Sequence, residues 1–153
     1  RLPGNVTAID LSPIAVRRAN GAAAASVLAL PFPDASFDAV LAIDGPNSWF
    51  LTEEELQNAY SEMHRVVKRG GNVLITDYEK PRNMDRFIER VERSPLQIQS
   101  VGYIHDRLWY KIERALPFIK GSRALASFAT SASRIAGRTT ANHIIVRTSR
   151  AAL

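Results

Sequence analysis

The stretch LPFPDASFDAVLAID, Leu30 to Asp44, decides how this chain is read. Pro31 and Pro33 exclude a helix and a central strand from its first half, because a proline nitrogen has no hydrogen to donate. Asp34, Ala35 and Ser36 have the composition of a turn. Phe37 and the run Ala39 to Ile43 are then almost continuously apolar, the pattern of a strand covered on both faces. The run ends on a carboxylate, Asp44. Ligands of open α/β sheets gather at the carboxyl ends of the strands, so this run is expected to carry part of a site.

Working outward, Val6 to Ile9 reads as a short strand closed by Asp10. Ser12 is a helix cap and Pro13 a first helical residue, with a stop at Asn20-Gly21. Ala22 to Leu28 admits helix or strand, an edge strand at Ser26-Val27-Leu28 being favoured. Downstream, Thr52 and Glu55 have the spacing of a capping box, and Leu51 and Leu56 that of a hydrophobic staple. Leu56, Ala59, Tyr60, Met63, Val66 and Val67 then fall on one helical face. Acids open this helix, Lys68-Arg69 are expected to close it, and Gly70-Gly71 to stop it. Asn72 to Thr76 is the next strand, ending in Asp77. Alternating strands and helices predict right-handed crossovers and a parallel sheet. Past Pro81, helices are expected at Met84 to Arg93, Asp106 to Leu116 and Ser122 to Ile135, and strands at Leu96 to Val101 and His143 to Thr148.

The 153 residues suit one domain spanning 1–153. A content of 46% hydrophobic and 23% charged residues is that of a globular chain. No stretch approaches the roughly 18 uncharged apolar residues of a membrane helix, so no integral membrane segment is expected. There is no cysteine, which excludes disulfides, thiolate metal sites and cysteine nucleophiles and fits a reducing, cytoplasmic setting. The net charge of +5 is concentrated late: seven basic residues and no acid lie from Arg114 onward. A basic face can meet nucleic acid or a membrane surface, but no aromatic-basic motif accompanies this one. It is read as a solvated face, with no nucleic-acid partner. His64, His105 and His143 lack metal-ligand spacing, so no metal is expected.

Three blocks carry a family resemblance. Ile9-Asp10-Leu11-Ser12-Pro13, Leu30 to Val40, and Glu62-Met63-His64-Arg65-Val66-Val67-Lys68-Arg69-Gly70-Gly71 resemble, in order and spacing, successive motifs of class I S-adenosylmethionine-dependent methyltransferases. They are most similar to the broad small-molecule methyltransferase-domain group, over about Val6 to Asp77. The resemblance implies an α/β, Rossmann-like fold: a mostly parallel sheet with helices on both faces. It also implies S-adenosylmethionine as cofactor and a small-molecule or lipid-like methyl acceptor.

The family's first, central strand, its glycine-rich turn and its helix have no counterpart here, since only Arg1 to Asn5 precede the Asp10 strand. That turn lets backbone approach the methionine part of the cofactor. The chain is therefore expected to be N-terminally incomplete, with an upstream segment or a second copy completing the sheet.

By the resemblance, Asp10 accepts hydrogen bonds from a ribose and Leu11 packs on adenine. Against this, an acid at Asp10 could simply cap the next helix; Ser12 already holds that cap, which favours the ribose role. Ser26 and Val27 stand where the family has an acid and its neighbour beside the adenine amino group. Asp44 and Gly45 complete the cofactor side. On the acceptor side the candidates are Asn47, Trp49, Tyr78 and His105, with no fixed catalytic residue expected. Methyl transfer needs alignment first, and a base only where the acceptor must lose a proton. Trp49 and Phe50 either cover an acceptor or close the core over the Thr52 helix. Asp34 reads as a turn former and Asp38 as a residue that orients the loop. The competing functions are a non-catalytic methyltransferase-like scaffold and a dinucleotide-dependent oxidoreductase. The latter has no need of the Leu-Pro-Phe-Pro-Asp block.

Overall fold

The computed structural model describes residues 5–17, 22–104 and 141–152, with scattered positions between 114 and 138. The order of elements is β1 (Ala8–Asp10), α1 (Pro13–Val16), β2 (Ala22–Ala24), β3 (Phe37–Ile43), α2 (Glu53–Val66) and β4 (Val67–Asp77). A 3-10 turn (Pro81–Asn83), α3 (Met84–Glu92), β5 (Gln97–Ile104) and β6 (His143–Ser149) follow. The strands form two sheets. β1 and β2 pair in parallel, and a second sheet has the order β3-β4-β6-β5. In that sheet β3 and β4 run parallel, while β6 is antiparallel to both neighbours.

The core lies on one face of the larger sheet. Leu56, Tyr60 and Met63 of α2 and Met84, Phe87 and Val91 of α3 pack against Val73 and Ile75 of β4 and Ile144 and Val146 of β6, all nearly inaccessible to solvent. The α2 stripe was legible from its spacing. The capping box is formed: Thr52 Oγ1 accepts from the Glu55 N–H at 3.2 Å, and Glu55 Oε2 accepts from the Thr52 N–H at 2.8 Å. Leu51 packs against the same core.

Four expectations are corrected. First, α2 ends at Val66, and Val67 already pairs with Phe37, so Lys68 and Arg69 extend β4 instead of closing the helix. The C-terminal carbonyls of α2 are met by Arg150, whose Nη1 donates to the carbonyls of His64, Arg65 and Val67 at 3.0–3.1 Å. Second, β3 is covered on one face only among the described residues. Leu41 and Ile43 are 45% and 68% exposed, while Ala42 is buried and Val40 packs against the core.

Third, the strand near residue 25 is Ala22–Ala24, and Ser26 to Leu28 turn away from it. The Ser26 hydroxyl accepts from the Leu28 N–H at 3.1 Å, a local bond that competes with a ladder. Fourth, Asp10 is locally employed: its Oδ1 accepts from the Ser12 N–H at 2.7 Å. His105, Tyr110 and most of the two helices expected between 106 and 135 lie outside the described residues.

Candidate functional site

The carboxyl ends of the strands are built by tight local chemistry. Below them, the Leu30–Asp34 loop is clamped to α2. Arg65 donates from Nη1 to the Phe32 carbonyl at 2.7 Å and to Asp34 Oδ1 at 3.0 Å, and from Nη2 to the Leu30 carbonyl at 3.0 Å. Glu62 orients that guanidinium at 2.7–2.8 Å and accepts from the Leu30 N–H at 2.8 Å. The paired guanidinium holds the Glu62 carboxyl below its ordinary value. Two prolines leave the loop few amides of its own, and one side chain per helix turn supplies the missing partners. Asp34 is thus an ion-pair partner of Arg65 as well as a turn residue, and Asp38 pairs with Lys68 at 2.7 Å.

At the top of β3, Asp44 has φ of 49°, a left-handed backbone that a side-chain-bearing residue rarely adopts. Its N–H donates to both the carbonyl and the hydroxyl oxygen of Thr76, each at 3.1 Å. The Thr76 hydroxyl donates back to Asp44 Oδ1 at 2.9 Å. Asp44 Oδ2 lies 3.4 Å from His143 Nε2 at the start of β6. Asn142 Nδ2 stands 3.4 Å from the other ring nitrogen, and the Tyr78 ring meets the imidazole edge to face at 5.1 Å. Asp44, Thr76, Tyr78, Asn142 and His143 therefore converge from three strands. Half the Asp44 side chain remains open to solvent, whereas His143 is largely covered.

One residue behind this group lies Asp77, 3% exposed, with Oδ2 lacking any partner among the described residues. Burial pushes its carboxyl up to about 7, with Glu79 adding to the rise. The Tyr60 hydroxyl is likewise buried without a partner, and burial raises it to about 12.

Of the expected site residues, Asp10 and Leu11 lie exposed at the carboxyl end of β1, and Asp44 and Gly45 at that of β3. Ser26 and Val27 sit part-buried in a turn, Val27 packed on the core. Asn47 orders the following loop by accepting from the Trp49 N–H at 3.1 Å. Trp49 and Phe50 are 74% and 86% exposed, so they do not close the core over α2. Thr76 and the pairing of His143 escaped sequence reasoning. A threonine near a strand end and a histidine 99 residues from Asp44 leave no local pattern. Among the described residues no group of acids and histidines could hold a metal ion, and no helix is long and apolar enough to cross a membrane.

The geometry can be set beside known proteins. A family model described as a methyltransferase domain matches residues 1–75. The ubiquinone/menaquinone biosynthesis C-methyltransferase UbiE of Erwinia tasmaniensis is 42% identical over 57 residues, which are 37% of this chain and 21% of that protein. The chain thus spans about a fifth of the length of that relative. Among solved structures, geranyl diphosphate C-methyltransferase from Streptomyces coelicolor superposes with a TM-score of 0.60 at 14% identity, over 93% of this chain and 63% of its own. The [4+2]-cyclase SpnF does so with a TM-score of 0.59 at 17% identity, over 95% of this chain and 66% of its own. Residues 1–75 thus match a methyltransferase-domain model, and the fold of the chain is shared with solved methyltransferase structures.

Proposed function

We propose that this chain forms the acceptor side and the adenosine side of an S-adenosylmethionine-dependent methyltransferase acting on a small-molecule or lipid-like acceptor in the cytoplasm. The observation that carries this reading is the pair of parallel strand ends: among the described residues β1 pairs only with β2 and β3 only with β4, and each is followed or closed by an exposed carboxylate, Asp10 and Asp44. A crevice flanked by the carboxyl ends of parallel strands is where α/β folds bind nucleotide-containing ligands.

The residues present fit the adenosine half of the cofactor. Asp10 keeps its second carboxylate oxygen open to a ribose hydroxyl, and Leu11 offers an exposed apolar side chain to a purine face. Ser26 retains a hydroxyl proton to donate, its oxygen accepting from the Leu28 N–H. When bound, S-adenosylmethionine supplies a methyl group on a positively charged sulfur. What these residues supply is position and exclusion of water. Asn47 shapes the loop that presents Trp49 and Phe50, and Tyr78 walls the end of β4. We further propose that a strand and glycine-rich turn, upstream in sequence or from a second copy, seats between β1 and β3 and completes the methionine half.

A scaffold reading has one observation in its favour: Asp10 Oδ1 and the Ser26 oxygen already serve the local backbone. SpnF, whose name is that of a cyclase, has the same fold, so fold alone does not choose a reaction. Calorimetric titration of S-adenosylhomocysteine decides between them, using this chain and a form extended at its N-terminus by a strand and glycine-rich turn. Binding by the extended form supports the methyltransferase reading, and its abolition by Asp10→Ala would place the ribose. No binding by either form leaves the scaffold reading.

A further inference from the structure

We propose that Thr76 and His143 are positioning residues that hold Asp44 as a proton-accepting carboxylate for an acceptor that presents a hydroxyl group. The proposal rests on the methyltransferase reading above for its reaction, but its geometry stands on its own.

Three features single out Asp44 from the other carboxylates of the chain. Its backbone is in the left-handed region without being glycine, and such outliers persist only where surroundings over-determine them. Thr76 does so with three contacts: carbonyl and hydroxyl oxygen accept the Asp44 N–H, and the hydroxyl donates to Oδ1. Among the described residues the side chain, unlike that of Asp38 or Asp34, is paired with no lysine or arginine. Its partners are one hydroxyl and one imidazole, and half of it faces solvent at the carboxyl ends of the strands.

The imidazole is itself oriented. Asn142 Nδ2 stands 3.4 Å from Nδ1, Nε2 lies 3.4 Å from Asp44 Oδ2, and the Tyr78 ring meets the imidazole edge to face at 5.1 Å; the tautomer that the proposal requires carries its proton on Nε2. A carboxylate held at both oxygens keeps lone pairs directed outward at fixed angles, which is what general-base geometry requires.

Proton bookkeeping is simple. The acceptor's O–H bond breaks with its electron pair left on the acceptor oxygen, and the proton is taken by an Asp44 carboxylate oxygen. The Thr76 hydroxyl holds Oδ1 and His143 Nε2 lies against Oδ2. Asp44 thus belongs to the acceptor side, beyond the cofactor side assigned from sequence. Trp49 and Phe50, five and six residues further on, are exposed.

The test uses phenol as a hydroxyl probe and anisole as its matched control without the proton. Both are titrated into the chain while the Thr76 methyl and His143 ring signals are followed by NMR. The expected result is saturable shifts at both residues with phenol, and at least five-fold weaker binding of anisole. Thr76→Val and Asp44→Asn should abolish that preference and Thr76→Ser restore it, the Ser variant guarding against a folding defect in the Val variant. Equal response to the two probes, no response to either, or a preference retained by Thr76→Val overturns the proposal. S-adenosylhomocysteine titrated in parallel separates the readings. Phenol preference without cofactor binding removes the methyltransferase function but leaves the hydroxyl site, and cofactor binding without phenol preference does the reverse.

Discussion

Asp77 stands one residue from the open carboxylate of the site, yet its side chain points into the core, where solvent cannot stabilise a charge. Its carboxyl is pushed up to about 7, first by burial and then by Glu79, with Asp44 adding a smaller push and Arg90 opposing it. A folded-state value above the unfolded one means that the native chain holds this proton more tightly. Its contribution to stability is complete below the unfolded aspartate value near pH 4 and is lost as pH rises through about 7. At about 1.4 kcal/mol per pH unit the window corresponds to roughly 4 kcal/mol. Asp77→Asn is therefore expected to stabilise the protein at pH 8 and to make little difference at pH 5, as thermal denaturation at the two pH values would measure. A second prediction concerns Arg65. Replacing it with Met leaves the Leu30 and Phe32 carbonyls without their donor and should cost about 1–3 kcal/mol in denaturant titration. Lysine should not restore the loss, since a single ammonium cannot reach three acceptors on a planar fork.

Among the elements, α2 was the most legible and its end the least. Thr52, Glu55 and the apolar stripe from Leu56 to Val66 are local signals, and all three formed as read. Thr52→Ala should cost about 1 kcal/mol, seen as a lower denaturant midpoint with unchanged slope. Where the helix stops was not local. Val67 pairs across to Phe37, Lys68 reaches Asp38, and Gly71 is enclosed by that junction. A Cβ at Gly71 would lie 2.7 Å from Val67 Cγ2 and 2.8 Å from the Asp38 carbonyl oxygen. Gly71→Ala must shift backbone there, whereas at Gly70 nothing stands within 4 Å and only its φ of 73° opposes a side chain. Gly71→Ala should thus lower the melting temperature more than Gly70→Ala, and far-UV circular dichroism on heating would rank them. The turn at Ser26 was missed for a related reason: a hydroxyl bonding two residues along looks, in sequence, like any serine in an alanine-rich run.

For the molecule as a whole, the sheet is held together unevenly. β4 and β6 sit between neighbours with their inner residues fully buried, while among the described residues β1 and β2 pair only with each other and bury little. Native-state hydrogen exchange should therefore find the slowest amides at Val73–Ile75 and Ile144–Val146 and the fastest at Ala8–Asp10 and Ala22–Ala24. Binding of the strand proposed above to β1 should slow β1 and β2 most, because they would change from a pair of strands to part of a larger sheet. Leu41 and Ile43 are exposed: an apolar run expected to be covered twice is covered once in the described residues.

The order of strands and helices as far as α3, the capping of α2, its core stripe and the presence of carboxylates at the ends of β1 and β3 were legible in the sequence alone. Each is set by residues within a few positions of one another, where turn chemistry and helical or strand periodicity act directly. Only the tertiary structure decided that β3 lies open on one side, that Arg65 and Arg150 satisfy carbonyls far along the chain, and that Thr76 and His143 meet at Asp44. Those outcomes depend on which strand lies beside which. Register across a sheet brings together residues 32 and 99 positions apart that no local pattern connects.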